Sequence, residues 1–151
     1  MSLLKISDKA PVFKGIDQNG NSISLDQFKG KKVVLYFYPK DNTPGCTAEA
    51  CNLRDNYSSF IEKGYEVIGV SPDTEISHKK FADKFELPFR LISDTGKTIL
   101  NMYGAWGEKK MYGKSYEGVL RKTFIISEDQ KIENIIEKVK TNDHTNQILE
   151  K

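Results

Sequence analysis

Apolar residues along the chain form unbroken runs that alternate with segments of helical spacing. Residues 33–38 (VVLYFY) are all apolar or aromatic, and Pro39 follows them without an amide hydrogen to offer a sheet ladder. Such a run is typical of a central strand that is buried on both faces. Residues 65–72 (YEVIGVSP) repeat the pattern and predict a second buried strand.

Each of these two strands is followed by a segment in which apolar residues recur at helical spacing. From Thr47 to about Lys63 the apolar residues recur every three or four positions, and Gly64 is a natural stop. Residues 74–88 predict a second helix, with an apolar stripe of Ile76, Phe81, Ala82 and Phe85. The other predicted elements are a hairpin in 12–25 turning at Asn19 and Gly20, a strand in 89–94, a helix in 95–104, strands in 119–127 and 131–139, and a helix in 142–151.

The order of these elements predicts the fold class. Long helical crossovers between the first strands imply parallel pairing, and the two closing strands imply an antiparallel addition. We therefore expect an α/β fold of thioredoxin type, with a central mixed sheet flanked by helices and an N-terminal hairpin. We expect residues 1–151 to form one domain, and we interpret residues 103–118 (YGAWGEKKMYGKSYEG) as a long surface loop pinned by its aromatic side chains.

Charge and hydropathy exclude several classes of partner. The 23 Lys and Arg residues nearly balance the 21 Asp and Glu residues, and the lysines are scattered. This balance predicts neither a nucleic-acid nor a membrane partner. The first residues lack the apolar core of a signal peptide, and no apolar run is long enough to span a bilayer. We expect a cytoplasmic protein, whose thiols are kept reduced.

The two cysteines, Cys46 and Cys51, have an unusual spacing. They do not form the Cys-x-x-Cys motif of dithiol oxidoreductases, and two thiols are too few for a four-ligand zinc site. In a helix their Cα atoms would lie roughly 8–9 Å apart, whereas a disulfide needs about 7 Å or less. Either the two thiols are unrelated, or they react only after the helix unwinds.

Cys46 occupies a position that favours a reactive thiolate. It follows the first buried strand at the start of a helix, where ligands gather in α/β sheets and where free amides and the helix dipole stabilise a thiolate. The alternative is a small buried hydrophobic residue, the commoner fate of a cysteine. The turn-forming residues Pro39, Thr43, Pro44 and Gly45 shape a tight loop before it, which argues against that alternative.

These residues carry a resemblance to a known family. Pro39-x-x-x-Thr43-x-x-Cys46 resembles the active-site signature of the peroxiredoxins. The longer segment FYPKDNTPGCTAEAC, with Cys51 five residues after Cys46, is similar to the peroxiredoxin Q branch, also called bacterioferritin comigratory protein. The likeness covers the whole chain, including the tryptophan-containing segment 103–118 and the Arg-x-Thr-Phe that begins at Arg121.

The resemblance implies a thiol peroxidase that reduces hydrogen peroxide and organic hydroperoxides. Cys46 would be the peroxidatic cysteine and become a sulfenic acid, and Cys51 would be the resolving cysteine that closes an intramolecular Cys46–Cys51 disulfide. Thioredoxin or a similar dithiol protein would recycle it, with no metal and no organic cofactor. The branch is often monomeric, so we expect a monomer. Without the resemblance, Cys51 would be a core residue on the apolar stripe of its helix.

The resemblance also implies roles for the residues around Cys46. The Thr43 hydroxyl would orient the peroxide, and Arg121 would bring a permanent cation to the thiolate and the leaving oxygen. Pro39 would pack over the sulfur, and the amides of Gly45 and Cys46 would donate hydrogen bonds to substrate.

Other residues near the motif have competing interpretations. Glu49 falls where the family carries an acidic or amide side chain and would hold Arg121, but a first-turn glutamate also simply complements the helix dipole. Thr43 is equally explained as a turn or N-cap residue, and Arg121 as a surface residue of a strand. His78 and His144 lie isolated on charged segments, and neither is given a catalytic role.

Two other functions are compatible with this fold. One is a general thiol–disulfide oxidoreductase, against which the missing Cys-x-x-Cys argues. The other is a redox sensor that uses the disulfide to switch a partner surface, for which no partner motif is visible.

Overall fold

The computed structural model describes residues 4–149, which are built around a five-stranded mixed sheet. Elements are numbered in chain order. Across the sheet the strands are β5 (Arg90–Ser93), β4 (Tyr65–Ser71), β3 (Lys32–Phe37), β8 (Lys122–Ile126) and β9 (Ile132–Ile136). Strand β3 pairs parallel with β4, and β4 pairs parallel with β5. The pairs β3–β8 and β8–β9 are antiparallel. The predicted mixed sheet is therefore confirmed.

Helices and hairpins surround this sheet. The helices are α1 (Pro44–Asp55), α2 (Tyr57–Glu62), α3 (Glu75–Phe85), α4 (Thr98–Met102) and α5 (His144–Leu149), with a short 3₁₀ helix at Leu25–Phe28. Strands β1 (Lys14–Ile16) and β2 (Ser22–Ser24) form the predicted N-terminal hairpin, and Gly20 in its turn has a φ of 79°. None of the helices in residues 4–149 combines the length and apolar character that a membrane crossing needs.

Strand β3 separates two hydrophobic cores, as its unbroken apolar run predicts. Val33, Leu35 and Phe37 face the core that contains the 3₁₀ helix and α4. Val34 and Tyr36 face the other core, which α1, α2, α3 and α5 cover and which includes Cys46. Because alternate side chains of a strand point to opposite faces, β3 has no polar face.

The segment predicted as helical, from Thr47 to about Lys63, is helical but consists of two helices rather than one. Helix α1 begins earlier, at Pro44, whose missing amide hydrogen is tolerated in a first turn. The helical segment then breaks at Asn56, with φ −114° and ψ 14°, before α2 starts. The Asn56 side chain donates to the Asn52 carbonyl at 2.8 Å, and this bond supports the break. Apolar spacing continues across the break, so periodicity alone merged the two helices.

The prediction of a surface loop over residues 103–118 is wrong. The segment forms an antiparallel hairpin of β6 (Trp106–Met111) and β7 (Lys114–Val119). Tyr112 and Gly113 make the turn with positive φ angles of 54° and 77°, as a two-residue hairpin turn requires. Most of β7 is exposed on both faces, so its sequence lacks the alternation that marks a half-buried strand.

The apolar stripe of α3 differs from its prediction at one position. Ile76 is 69% exposed, whereas His78 is fully buried beside Phe81 and Ala82. The remaining strands and helices follow the predicted order. Of the last predicted helix, residues 150–151 lie outside the described residues.

Candidate active site

Cys46 lies in the first turn of α1, just beyond the carboxyl end of β3. It is almost completely buried, with 1% of its surface exposed. The free amides of this turn and the positive end of the helix dipole surround the sulfur with favourable partial charge. The structure therefore places Cys46 where a thiolate is stabilised and water is largely excluded.

The guanidinium of Arg121 lies against the Cys46 sulfur. Its Nη2 atom donates to Cys46 Sγ at 3.3 Å, and its Nη1 atom donates to Glu49 Oε1 at 2.7 Å. A Cβ atom on Gly45 would lie 3.4 Å from Nη2, so the guanidinium packs directly against this part of α1. Arg121 is therefore not a surface residue of a strand but a cation held between a thiol and a carboxyl group.

Glu49 is fully buried one helical turn after Cys46. Burial raises the pKa of this carboxyl group to about 7, and the neighbouring Arg121 only partly opposes the shift. Complementing the helix dipole does not require this burial, because an exposed glutamate in the first turn does so as well. The predicted contact with Arg121 is observed, at the 2.7 Å given above.

His144, at the start of α5, was not singled out from the sequence and lies behind Glu49. Its Nε2 atom lies 3.5 Å from Glu49 Oε2 and 2.7 Å from Thr123 Oγ1, and its Nδ1 atom lies 2.8 Å from Gln147 Oε1. Burial lowers the pKa of this imidazole. The description of His144 as isolated on a charged segment is thus wrong, because the fold brings α5 against α1.

Thr43 is the N-cap residue of α1, but its hydroxyl does not cap the helix. The Thr43 Oγ1 atom instead donates to the Lys40 carbonyl at 2.8 Å, and the side chain is partly exposed. This bond shapes the loop before Cys46 and leaves an oxygen lone pair at its surface. Pro39, in the same loop, is half-buried, and its packing over the sulfur stays a prediction.

A buried network anchors the loop that carries Thr43. Asp41 receives a hydrogen bond from the Tyr38 hydroxyl at 2.6 Å and contacts His78 Nδ1 at 2.7 Å. The Asp41 amide donates to Asp73 Oδ2 at 2.8 Å. His78, like His144, is therefore buried and paired rather than isolated.

Asp41, Asp73 and His78 place three potential metal-ligand atoms within 4.8 Å of one another. Each of these atoms already has a partner: Asp41 Oδ2 contacts His78 Nδ1 and accepts from the Ser77 hydroxyl, and Asp73 Oδ2 accepts from the Asp41 amide and the Ser71 hydroxyl. We interpret the cluster as structural support for the loop.

Cys51 is a half-buried free thiol on α1, and Cys46 is also free. Both belong to one continuous helix, so their Cα atoms are separated by roughly 8–9 Å. Asn52, next to Cys51, joins α1 to α5: its Oδ1 accepts the Thr145 amide at 2.8 Å, and its Nδ2 donates to the Asn142 carbonyl at 3.3 Å. The structure thus shows α1 in the folded, dithiol arrangement.

A depression of about 560 Å³ opens beside Arg121. Its lining includes the apolar Leu120 and Val139 together with Lys109 and Lys138. The volume lies in the range of small-molecule sites. A small molecule that occupied it would contact Arg121.

Comparison with known proteins shows consistent likenesses. The AhpC/TSA family pattern matches residues 6–135. The chain is 43% identical over 146 residues to the putative peroxiredoxin bcp of Coxiella burnetii, covering 97% of each chain. It is 42% identical over 149 residues to peroxiredoxin Bcp of Escherichia coli, covering 99% of this chain and 96% of that one.

Solved structures of the same group of proteins are also similar to this chain. A mutant of Xylella fastidiosa PrxQ matches with a TM-score of 0.92 and 29% identity, over 99% of this chain and 95% of that one. A Xanthomonas campestris peroxiredoxin Q structure matches with a TM-score of 0.86 and 34% identity, over 91% and 87% of the two chains. The expected thioredoxin-type architecture is therefore shown.

Proposed function

Because this chain belongs to the AhpC/TSA family, and within it to the peroxiredoxin Q or Bcp branch, we propose that it is a thiol peroxidase that reduces hydrogen peroxide and small organic hydroperoxides. The contact between Arg121 Nη2 and Cys46 Sγ carries the proposal. A permanent cation beside a buried sulfur stabilises the thiolate before reaction and the oxygen anion that leaves during it.

The first step is a two-electron oxidation of sulfur. The Cys46 thiolate attacks the terminal peroxide oxygen, an S–O bond forms and the O–O bond breaks. The departing hydroxide or alkoxide takes up a proton and leaves as water or alcohol, and Cys46 becomes a sulfenic acid. Arg121 supports the developing charge, and the amides of Gly45 and Cys46 and the Thr43 hydroxyl are the donors that orient the substrate. Pro39 shields the sulfur from water in this proposal.

The second step closes a disulfide. The Cys51 thiol attacks the sulfenic sulfur, an S–S bond forms and water leaves. Because both cysteines lie on the intact α1, the first turns of this helix must unwind before the sulfurs can meet. A dithiol protein such as thioredoxin then reduces the exposed disulfide by exchange.

A relative supports the organic hydroperoxide part of the proposal. A structure of the Xanthomonas campestris bacterioferritin comigratory protein, 33% identical to this chain, is described in terms of alkyl peroxide reduction.

Peroxide consumption coupled to thioredoxin, thioredoxin reductase and NADPH tests this function. We expect no turnover from Cys46→Ser and a single turnover from Cys51→Ser before the reaction stalls. Sustained turnover by Cys46→Ser would overturn the mechanism. If the wild type oxidises rapidly but thioredoxin never recycles it, thioredoxin is not its reductant. The protein then uses another reductant or acts as a redox sensor.

The burial of Cys46 also separates this function from general thiol–disulfide exchange. A sulfur with 1% exposure admits a small peroxide far more readily than the disulfide of a folded protein. We therefore expect the reduced protein to be a poor insulin reductase. We further propose a monomer located in the cytoplasm, and sedimentation of the reduced protein tests the first part, since a stable decamer would contradict it.

A further inference from the structure

One oxygen of Glu49 lacks a hydrogen-bond partner among the described residues. Oε1 accepts from Arg121, but Oε2 has no hydrogen-bond partner among them, and His144 Nε2 lies 3.5 Å from it. Both side chains are fully buried. An unsatisfied carboxylate oxygen in such an environment is costly, so the arrangement calls for an explanation.

The hydrogen bonds of Gln147 determine the tautomer of His144. Gln147 Oε1 accepts from the Lys140 amide at 2.7 Å, and its Nε2 donates to the Lys138 carbonyl at 2.8 Å, so the orientation of the amide is fixed. His144 Nδ1 lies 2.8 Å from Oε1, an acceptor, and must therefore carry a hydrogen. In the neutral ring, Nε2 then has a lone pair.

This tautomer places two electron-rich atoms, His144 Nε2 and Glu49 Oε2, 3.5 Å apart. With Glu49 ionised and His144 neutral, Oε2 and Nε2 would repel across 3.5 Å. A single proton removes the conflict, either on Oε2 or on Nε2. The Thr123 hydroxyl, 2.7 Å from Nε2, can donate to the lone pair or rotate to accept from a protonated ring, so it is compatible with both positions.

We propose that Glu49 and His144 share one buried proton, and that His144 is thereby a positioning residue that keeps the charge of Arg121 directed at Cys46. With the proton present, the Glu49–His144 pair has no net charge. The negative charge of the Cys46 thiolate is then the one that interacts with the positive charge of Arg121. Without it, the Glu49 carboxylate neutralises Arg121 and weakens its support of the thiolate. The part of this inference that concerns catalysis rests on the proposed peroxidase function.

The electrostatic environment agrees with a single shared proton. Burial raises the pKa of Glu49 to about 7 and lowers the pKa of His144, so each group resists its own charged form. The other groups that face the pair are Arg121, Cys46 and the buried hydroxyl of Tyr36. Burial raises the pKa of Tyr36 well above its ordinary value, and the charges of Glu49 and Cys46 add to this, so the phenol stays neutral.

The test measures the reactivity of Cys46 without peroxide. In a Cys51→Ser background, the alkylation rate with iodoacetamide is followed from about pH 5 to about pH 9 and read by mass spectrometry. His144→Gln keeps a polar side chain but holds no basic nitrogen, so Glu49 ionises more easily. We expect the alkylation rate near pH 6.5 to fall about tenfold, as an added neighbouring charge does.

A second substitution separates a charge effect from a structural one. Glu49→Gln removes the ionisable carboxyl group, so adding it to His144→Gln should restore the alkylation rate to within about twofold of the background protein. Thr145→Val is the matched control, because it removes a hydrogen bond between α5 and the Asn52 carbonyl without touching Glu49. We expect Thr145→Val to leave the pH profile unchanged.

Three outcomes would overturn the inference: an unchanged profile for His144→Gln, a double variant as slow as His144→Gln, or a Thr145→Val profile that matches that of His144→Gln. Since alkylation needs no peroxide, a protein that fails as a peroxidase can still show the predicted profile. Failure of this inference and failure of the proposed function are therefore distinguishable.

Discussion

The Nη2 atom of Arg121 lies 3.3 Å from Sγ of Cys46, although 75 residues separate them along the chain. The register of the sheet explains the contact. Strand β3 leads into α1, and its last residue, Phe37, pairs with Lys122 of the antiparallel β8. Arg121 precedes Lys122, so it lies just past the strand end where the Cys46 helix begins. A contact set by strand register is well defined, and in the proposed mechanism it keeps the Arg121 cation aligned with the sulfur.

Arg121→Lys should impair peroxide reduction while preserving the charge. A lysine ammonium is a single point charge and cannot donate to both Cys46 and Glu49 from fixed positions, as the guanidinium does. We expect kcat/KM for hydrogen peroxide to fall about 100-fold. Stopped-flow measurement of the reduced protein with peroxide gives this value directly.

The matched control for this substitution is Arg90→Lys. Arg90 also pairs with a buried carboxylate, that of Asp17, but at a distance from Cys46. We expect its peroxide rate to equal that of the wild type. An Arg121→Lys protein with the wild-type rate would exclude the proposed role of the guanidinium.

The raised pKa of Glu49 predicts a pH dependence of stability. Burial raises this pKa from 4.5 to about 7, so the folded chain keeps a proton that the unfolded chain has released. The stabilisation is complete below about pH 4.5 and is lost as the pH rises through about 7. The free energy of unfolding of the wild type should therefore fall by about 3 kcal/mol relative to that of Glu49→Gln over this range.

Urea unfolding of both proteins at several pH values measures that difference. The lowered pKa values of Asp17 and Asp129 affect both proteins equally and cancel in the comparison. His144 contacts Glu49, so the difference between the two curves measures the titration of the Glu49–His144 pair. Parallel curves for the two proteins would show that Glu49 does not titrate in this range.

The sequence predicts the parts of the site that depend on local order. Residues 33–38 predict a strand buried on both faces, and the turn residues before Cys46 predict a loop followed by the start of a helix. The family resemblance adds Arg121, since nothing in its local sequence distinguishes it from an exposed arginine of a strand. The observed contact with Cys46 agrees with that expectation.

The partners that depend on tertiary packing are not visible in the sequence. His144 lies beside Glu49 because α5 packs against α1. His78 contacts Asp41 because α3 packs against the loop after β3. Both histidines have charged or polar neighbours in the sequence, so the sequence alone predicts that their side chains are exposed. Buried polar pairs break the apolar pattern on which burial predictions depend.

Removal of His78 should destabilise the fold and loosen the loop before Cys46. His78→Leu removes the imidazole partner of the buried Asp41 carboxylate, and the loss of a hydrogen bond to a charged group costs about 1.5–3 kcal/mol. Thermal or urea unfolding measures the change. Lys79→Ala, at the next and exposed position of α3, is the control, and we expect it to change stability by no more than about 0.5 kcal/mol. Equal stabilities for both variants would show that the Asp41–His78 pair contributes little.

Disulfide formation should unwind α1 but leave α3 folded. The helix holds the Cα atoms of Cys46 and Cys51 roughly 8–9 Å apart, beyond the reach of a disulfide, so the first turns must open. Asn52 lies next to Cys51 and joins α1 to α5, so we expect the loss of protection to spread into α5. Amide hydrogen exchange after stoichiometric peroxide should show residues 44–52 and 144–149 exchanging much faster than in the reduced protein, while α3 serves as the internal control. If a protein with a verified Cys46–Cys51 disulfide keeps the protection of α1, unwinding is not part of the cycle.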